Sequence, residues 1–188
     1  MPRLVLATAN PGKVIEFQAY LPDWDCVPRP AGLEIEETGD TFLANACLKA
    51  THIARLTGEW AIADDSGLMV DALDGSPGLY SARYGTTDAE RIERLLFELG
   101  DELERSARFV CALAVADPTG TILAQAEGVC EGEILRAPRG NGGFGYDPIF
   151  YVPDQGLTFA QMTPDLKRQV GHRGRALAAL QPQLQALV

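Results

Sequence analysis

The strongest constraint in this chain is an apolar run broken at its centre by two adjacent acids, WAIADDSGLMVDAL, from Trp60 to Leu73. Its flanks read as a strand entering a core, where a charge has to be paired or to coordinate a metal. Two readings stand. In one, Asp64, Asp65 and Ser66 beside Gly67 make a solvated turn whose side chains bond their own backbone. In the other, the acids form a carboxylate pair at a strand end that binds a divalent metal or activates a water. Hard cations such as Mg²⁺ take oxygen ligands, so one or two carboxylates plus substrate phosphates suffice for a site. The second reading therefore requires phosphate-binding residues elsewhere in the chain.

A formal net charge of −10 over 188 residues argues against broad binding to DNA, RNA or an anionic membrane. Any phosphate has to be met by a local cluster. The chain holds thirteen arginines but only three lysines, Lys13, Lys49 and Lys167. An ammonium binds phosphate as a compact point charge, a role the planar Arg fork does not fill at a tight site. The three lysines are thus marked as candidates. Residues Arg3 to Thr8 read as a strand, and ANPGK then turns into a helix to about Leu21. Such a junction aims backbone N–H groups at an anion, with Thr8, Asn10 and Lys13 lining it. Its spacing is not that of a Walker loop.

From Thr41 to Thr57 the apolar residues recur at helical spacing, with Asn45 and Lys49 four apart on one edge. Glu36 and Glu37 stand just before it, either as acids at a helix N-terminus or as part of the same cleft. Thr87 to Glu90 is a capping-box pattern before a helix to about Leu99. Ala107 to Ala116 and Ile122 to Val129 read as a hairpin around DPTG, and Ile149 to Val152 as a further strand. After Pro164 the pattern is helical, with an interruption expected at Pro182. Alternating strands and helices followed by a hairpin predict a mixed α/β sheet in one unit over 1–188.

Gly140 to Gly145 matches G-x-G-x-x-G, but no apolar strand precedes it and no helix follows, as a dinucleotide fingerprint needs. It reads instead as a loop whose glycines let backbone approach a ligand. Phe144 and Tyr146 would supply ring faces and Asp147 an acceptor. Cys26, Cys47, Cys111 and Cys130 are too dispersed for a zinc site or disulfide set and read as reduced thiols. With no signal peptide or membrane span in the pattern, the expected compartment is the cytoplasm. His52 reads as a structural or surface residue, and His172 as the histidine of a site.

Six segments, ATANPGK, EETGDTFLANACLKA, AIADDSGL, PGLYSARYG, GGFGYDPIF and GHRGRAL, together resemble the inosine triphosphate pyrophosphatases, which act on non-standard purine nucleoside triphosphates. The resemblance spans nearly the whole chain. It implies an elongated mixed β-sheet flanked by helices, with two lobes around a central active-site cleft, in a Mg²⁺-dependent homodimer. It implies triphosphate contacts from the loop Thr8, Ala9, Asn10, Pro11, Gly12 and Lys13, joined by Lys49. Asp65 resembles the catalytic acid and metal ligand, with Glu37 or its neighbour Glu36 as a second ligand. Ser66 looks like a substrate contact, Phe144, Gly145, Tyr146 and Asp147 resemble the base-binding loop, and Lys167, His172 and Arg173 the C-terminal part of the site. The implied reaction cleaves ITP, dITP or XTP to the monophosphate and pyrophosphate. The expected partner is thus a small nucleotide, with no nucleic acid polymer and no membrane.

Overall fold

A computed structural model describes residues 1–8, 11–33 and 35–187. Among the described residues seven strands form one sheet: β1 (Arg3–Leu6), β2 (Asp25–Pro28), β3 (Trp60–Val70), β4 (Ser106–Ala116), β5 (Ile122–Ile134), β6 (Phe150–Val152) and β7 (Leu157–Thr158). Their order is β2-β1-β3-β4-β5-β6-β7. β2 and β3 both run parallel to β1, while β6 pairs antiparallel with β5 and with β7, so the sheet is mixed. The helices are α1 (Pro11–Tyr20), α2 (Phe42–Thr57), α3 (Asp88–Leu99), α4 (Pro164–Val170) and α5 (His172–Gln185).

The chain divides into two compact units. The first holds Met1–Asp65, Cys111–Glu127 and Ala176–Val188; the second holds Ser66–Val110 and Gly128–Arg175. The first is built on Leu4, Leu6, Phe17, Ile62, Leu113 and Leu180, and the second on Leu68, Leu95, Phe109, Ile149, Phe150 and Phe159, all buried. In β4 every residue from Phe109 to Ala116 is buried, as expected of a strand far from both sheet edges and covered on both faces.

Local chemistry explains the helix ends. The Thr41 hydroxyl accepts from the N–H of Ala44, and α2 stops at Gly58, which takes a left-handed φ of 68° while its N–H closes on Ala54. The expected capping box of α3 forms between Thr87 and Glu90.

Three expectations need correction, and one strand adds to those expected. The acids do not end a strand: β3 continues through Asp64, Asp65, Ser66 and Gly67 to Val70. The short β2, DCVP, carries too little apolar pattern to be read but is held by its pairing with β1. β5 runs five residues beyond Val129, to Ile134, which pairs with Phe150 of β6. Pro182 does not stop α5, which runs past it to Gln185 with Leu180 and Leu184 buried on either side. Cys26, Cys111 and Cys130 are buried and Cys47 half-buried, all as free thiols.

Candidate active site

In the first unit, β1 is the point where the chain order reverses. The path β1-α1-β2 leads to one side of it and β2-α2-β3 to the other, with all three strands parallel. Crevices at such points open beyond the carboxyl ends of the strands, where ligands bind. A cavity of about 190 Å³ lies there, lined among others by Thr8 after β1, Arg29 after β2, Lys13 of α1, Lys49 of α2, Glu37 and Asp64.

Each lysine of this cavity meets an acid. Lys13 Nζ lies 2.7 Å from Asp64 Oδ2, and the Asp64 side chain is only 3% exposed. Lys49 Nζ lies 2.7 Å from Glu37 Oε1 and 3.6 Å from Asp65 Oδ1. Successive side chains in a strand leave opposite faces, which is how neighbouring acids come to serve different lysines. Burial pulls the Lys49 pKa down, but the charges of Asp65, Asp64 and Glu37 more than offset it, and the net shift is upward. Asp65 is raised chiefly by burial and also by Glu37 and Asp64, against the lowering effect of Lys49 and a hydrogen bond from Asn45. A carboxylate held above its usual range is a better proton acceptor for a water.

Asn45, in α2 and 2% exposed, ties the cluster together. Its Oδ1 accepts from the N–H of Gly39 at 2.7 Å, fixing the loop that carries Glu37, while its side chain also bonds Asp65. A Cβ on Gly39 would stand 2.6 Å from Asn45 Oδ1, so this closure requires glycine. Glu37 and Asp65 flank the same ammonium, and a pair of hard oxygen donors fits Mg²⁺, which needs only one or two carboxylates when phosphates complete its shell. Glu36 is exposed, whereas Glu37 is half-buried and lines the cavity.

In the second unit the GGFGYD loop carries a ring and a charge. Phe144 is 53% exposed, and Lys167 Nζ sits 5.0 Å from its centroid and 5.3 Å from that of Phe159. Lys167 also pairs with the buried Asp147, whose Oδ2 accepts from the N–H of Phe144 at 3.1 Å. Burial raises the Asp147 pKa, with Lys167 and the Phe144 N–H acting against it. A Cβ on Gly143 would stand 2.0 Å from Asp147 Oδ2, so only glycine admits this carboxylate under the loop. The N–H of Gly145 donates to Asp88 Oδ2, at the start of α3, at 2.8 Å. His172 is buried and stacks on Phe109 at 4.7 Å with 13° between the ring planes; Arg173, next to it, is 6% exposed.

Tyr146 differs from the expectation of a ring open to a ligand. It is 4% exposed, belongs to the core, and donates its hydroxyl to the Ser81 carbonyl at 2.7 Å. Ser66 is half-buried in β3. Ala9 and Asn10 lie outside the described residues, and Pro11 and Gly12 open α1. His52 is exposed on α2. The charged lining residue that sequence reasoning missed is Arg29: one arginine among thirteen carries no signal until the fold sets it beside two lysines. Asp88 was read only as part of a helix cap, and its bond to Gly145 spans 57 positions.

The model of the Ham1 family matches residues 4–183. The chain is 64% identical to the dITP/XTP pyrophosphatase of a Nostoc species over 187 residues, 98% of this chain and 95% of that protein. It is 59% identical to the dITP/XTP pyrophosphatase of Thermosynechococcus vestitus, over 100% and 97% of the two chains. Among solved structures, a HAM1 protein from Coxiella burnetii superimposes with a TM-score of 0.92 at 45% identity, covering 99% of this chain and 100% of that one. The Ham1 protein of Staphylococcus aureus gives 0.91 at 40% identity with the same coverage.

Proposed function

Since the chain belongs to the Ham1 family, we propose that the cation and carboxylate cluster of its first unit is the hydrolytic centre of a nucleoside triphosphate pyrophosphatase. The enzyme hydrolyses non-standard purine nucleoside triphosphates, ITP, dITP and XTP, to the nucleoside monophosphate and pyrophosphate. The observation that carries the assignment is the pairing of Lys13 with Asp64 and of Lys49 with Glu37 and Asp65 around one cavity. A binding site for phosphate alone gains nothing from three acids beside its lysines. A hydrolytic site uses them, because a metal and a water have to be held next to the scissile anhydride.

Lys13 and Lys49 offset the triphosphate charge, and the Thr8 hydroxyl adds a hydrogen bond. Asp65, held by Asn45, orients the attacking water and accepts its proton. Glu37 and Asp65 would hold Mg²⁺, which when bound supplies charge neutralisation at the phosphates. In the second unit the exposed Phe144 ring is assigned to stacking on the purine and Arg173 to the 6-oxo group. Hypoxanthine and xanthine present an acceptor at C6 where adenine presents a donor, so a donor there leaves adenine unpaired and rejected. Lys167 supports this loop through Asp147, and His172, stacked on Phe109, stands beside Arg173.

The proposed enzyme is a cytoplasmic homodimer that acts on a small nucleotide and engages neither a membrane nor a nucleic acid polymer. Among the described residues no helix is long and apolar enough to cross a membrane. Pyrophosphate release from ITP, dITP and XTP, with ATP and GTP as comparators and with Mg²⁺ against EDTA, tests the activity; sedimentation tests the dimer. Binding of ITP without pyrophosphate release in Mg²⁺ would reduce the protein to a nucleotide sensor.

A further inference from the structure

Arg29 is the cation of the first-unit cavity that the two-lysine scheme does not use. Lys13 and Lys49 are each held by acids, so much of their charge is already answered within the protein. Arg29 lines the same cavity, and its Nη1 is buried and meets no hydrogen-bond partner among the described residues. A buried guanidinium nitrogen without a partner is costly unless a ligand completes it. Its backbone is anchored: Arg29 follows Pro28, which pairs with Leu6, and its N–H reaches the Thr8 carbonyl at 3.4 Å. The side chain therefore starts from the same strand ends as Thr8.

The strand order gives this cation a position along the substrate. Asp64 and Asp65 lie on β3, Arg29 follows β2, and β1 runs between them. The two strands are thus about 10 Å apart across the sheet, twice the usual spacing. Cleavage between the α and β phosphates takes place beside the acids, at the β3 side. A pyrophosphate leaving from there meets Arg29 when its phosphates run across β1 toward β2. We infer that Arg29 grips the terminal phosphate of the substrate and so makes the enzyme select triphosphates over diphosphates. This rests on the hydrolytic reading above. A planar fork offers two parallel N–H bonds to phosphate oxygens, which a lysine in its place would not reproduce.

The test compares wild type with Arg29→Gln and Arg29→Lys. Arg29→Gln is expected to lower kcat/KM for ITP about tenfold or more, the scale of one lost charge-assisted hydrogen bond. With inosine diphosphate, as substrate or competitive inhibitor, the same variant should stay within about twofold of wild type. Arg29→Lys should restore only part of the ITP loss. Calorimetric titration of pyrophosphate with Mg²⁺ gives a reading apart from turnover: binding at least about tenfold weaker in Arg29→Gln supports the assignment. Equal losses for the triphosphate and the diphosphate, or unchanged pyrophosphate binding, would overturn it. If wild type itself released no pyrophosphate from ITP, the hydrolytic reading would fail, while the titration would still decide whether Arg29 is an anion contact.

Discussion

The ammonium of Lys13 stands 2.7 Å from Asp64 Oδ2, a bond between residues 51 positions apart that ties the first turn of α1 to the middle of β3. Asp65, the next residue, serves Lys49 of α2 instead. The adjacent acids thereby acquire different partners: Asp64 holds Lys13, and Asp65 stands with Glu37 around Lys49.

Asp65→Asn is expected to lower kcat on ITP by about a hundredfold or more with little change in KM, the scale of losing a proton acceptor and a metal ligand. Asp64→Asn should cost less in kcat and act through Lys13. In a double-mutant cycle its effect on KM should largely vanish when Lys13 is already replaced by Met. Additive effects in that cycle would separate Asp64 from Lys13.

Replacing either cavity lysine by arginine preserves charge but changes shape. Lys13→Arg and Lys49→Arg are each expected to leave kcat/KM for ITP well below wild type, because the fork is too broad for sites already closed by Asp64 and by Glu37. Steady-state kinetics with wild-type values in either variant would remove the argument from lysine scarcity.

Base selection divides between two residues of the second unit. Arg173→Ala should reduce activity on ITP and XTP far more than the residual activity on ATP, narrowing the preference. Phe144→Ala should weaken all three by similar factors, on the order of 1–3 kcal/mol if the ring stacks as aromatic platforms do on single-stranded bases. Comparing kcat/KM for the three nucleotides on both variants reverses the roles if Phe144→Ala alone alters the preference.

The buried thiols make alkaline stability pH-dependent. Burial, with a smaller contribution from Asp25, pushes Cys26 up to about 11 from 9.0; burial likewise pushes Cys130 up to about 11, against Arg175. Between those values the unfolded chain has released thiol protons that the folded chain still holds, so stability falls as pH rises from about 9 to about 11. Each thiol contributes at most about 1.4 kcal/mol per pH unit there. Below pH 9 neither contributes a slope. Urea titrations at pH 8 and pH 10 should show this loss, and Cys26→Ala with Cys130→Ala should flatten it even where the cavities lower stability at both pH values.

Much of the architecture was legible because its signals are local. Thr41 and Thr87 announce helix starts through hydroxyls that reach only three residues ahead, and the burial stripe of α2 repeats at helical spacing. Segments of family-like sequence were legible for the same reason: each is a short unbroken string. β2 was not, because four residues held by parallel pairing with β1 owe their conformation to a partner and not to their own pattern.

The residue types of the site came from the sequence by itself: an acid pair in an apolar run, three lysines in an arginine-rich chain, a glycine loop with a ring and an acid. Only the tertiary structure decided which of them meet. Strand alternation put Asp64 and Asp65 on opposite faces, but the packing of α1 and α2 chose their lysines. Burial turned Tyr146 inward to Ser81 and left Phe144 exposed, though the two are a single glycine apart. The order β2-β1-β3 carried Arg29 to the cavity. The reason is physical: charge pairing and burial depend on distances of a few ångströms between residues tens of positions apart, and chain spacing does not encode such distances until the sheet order is set.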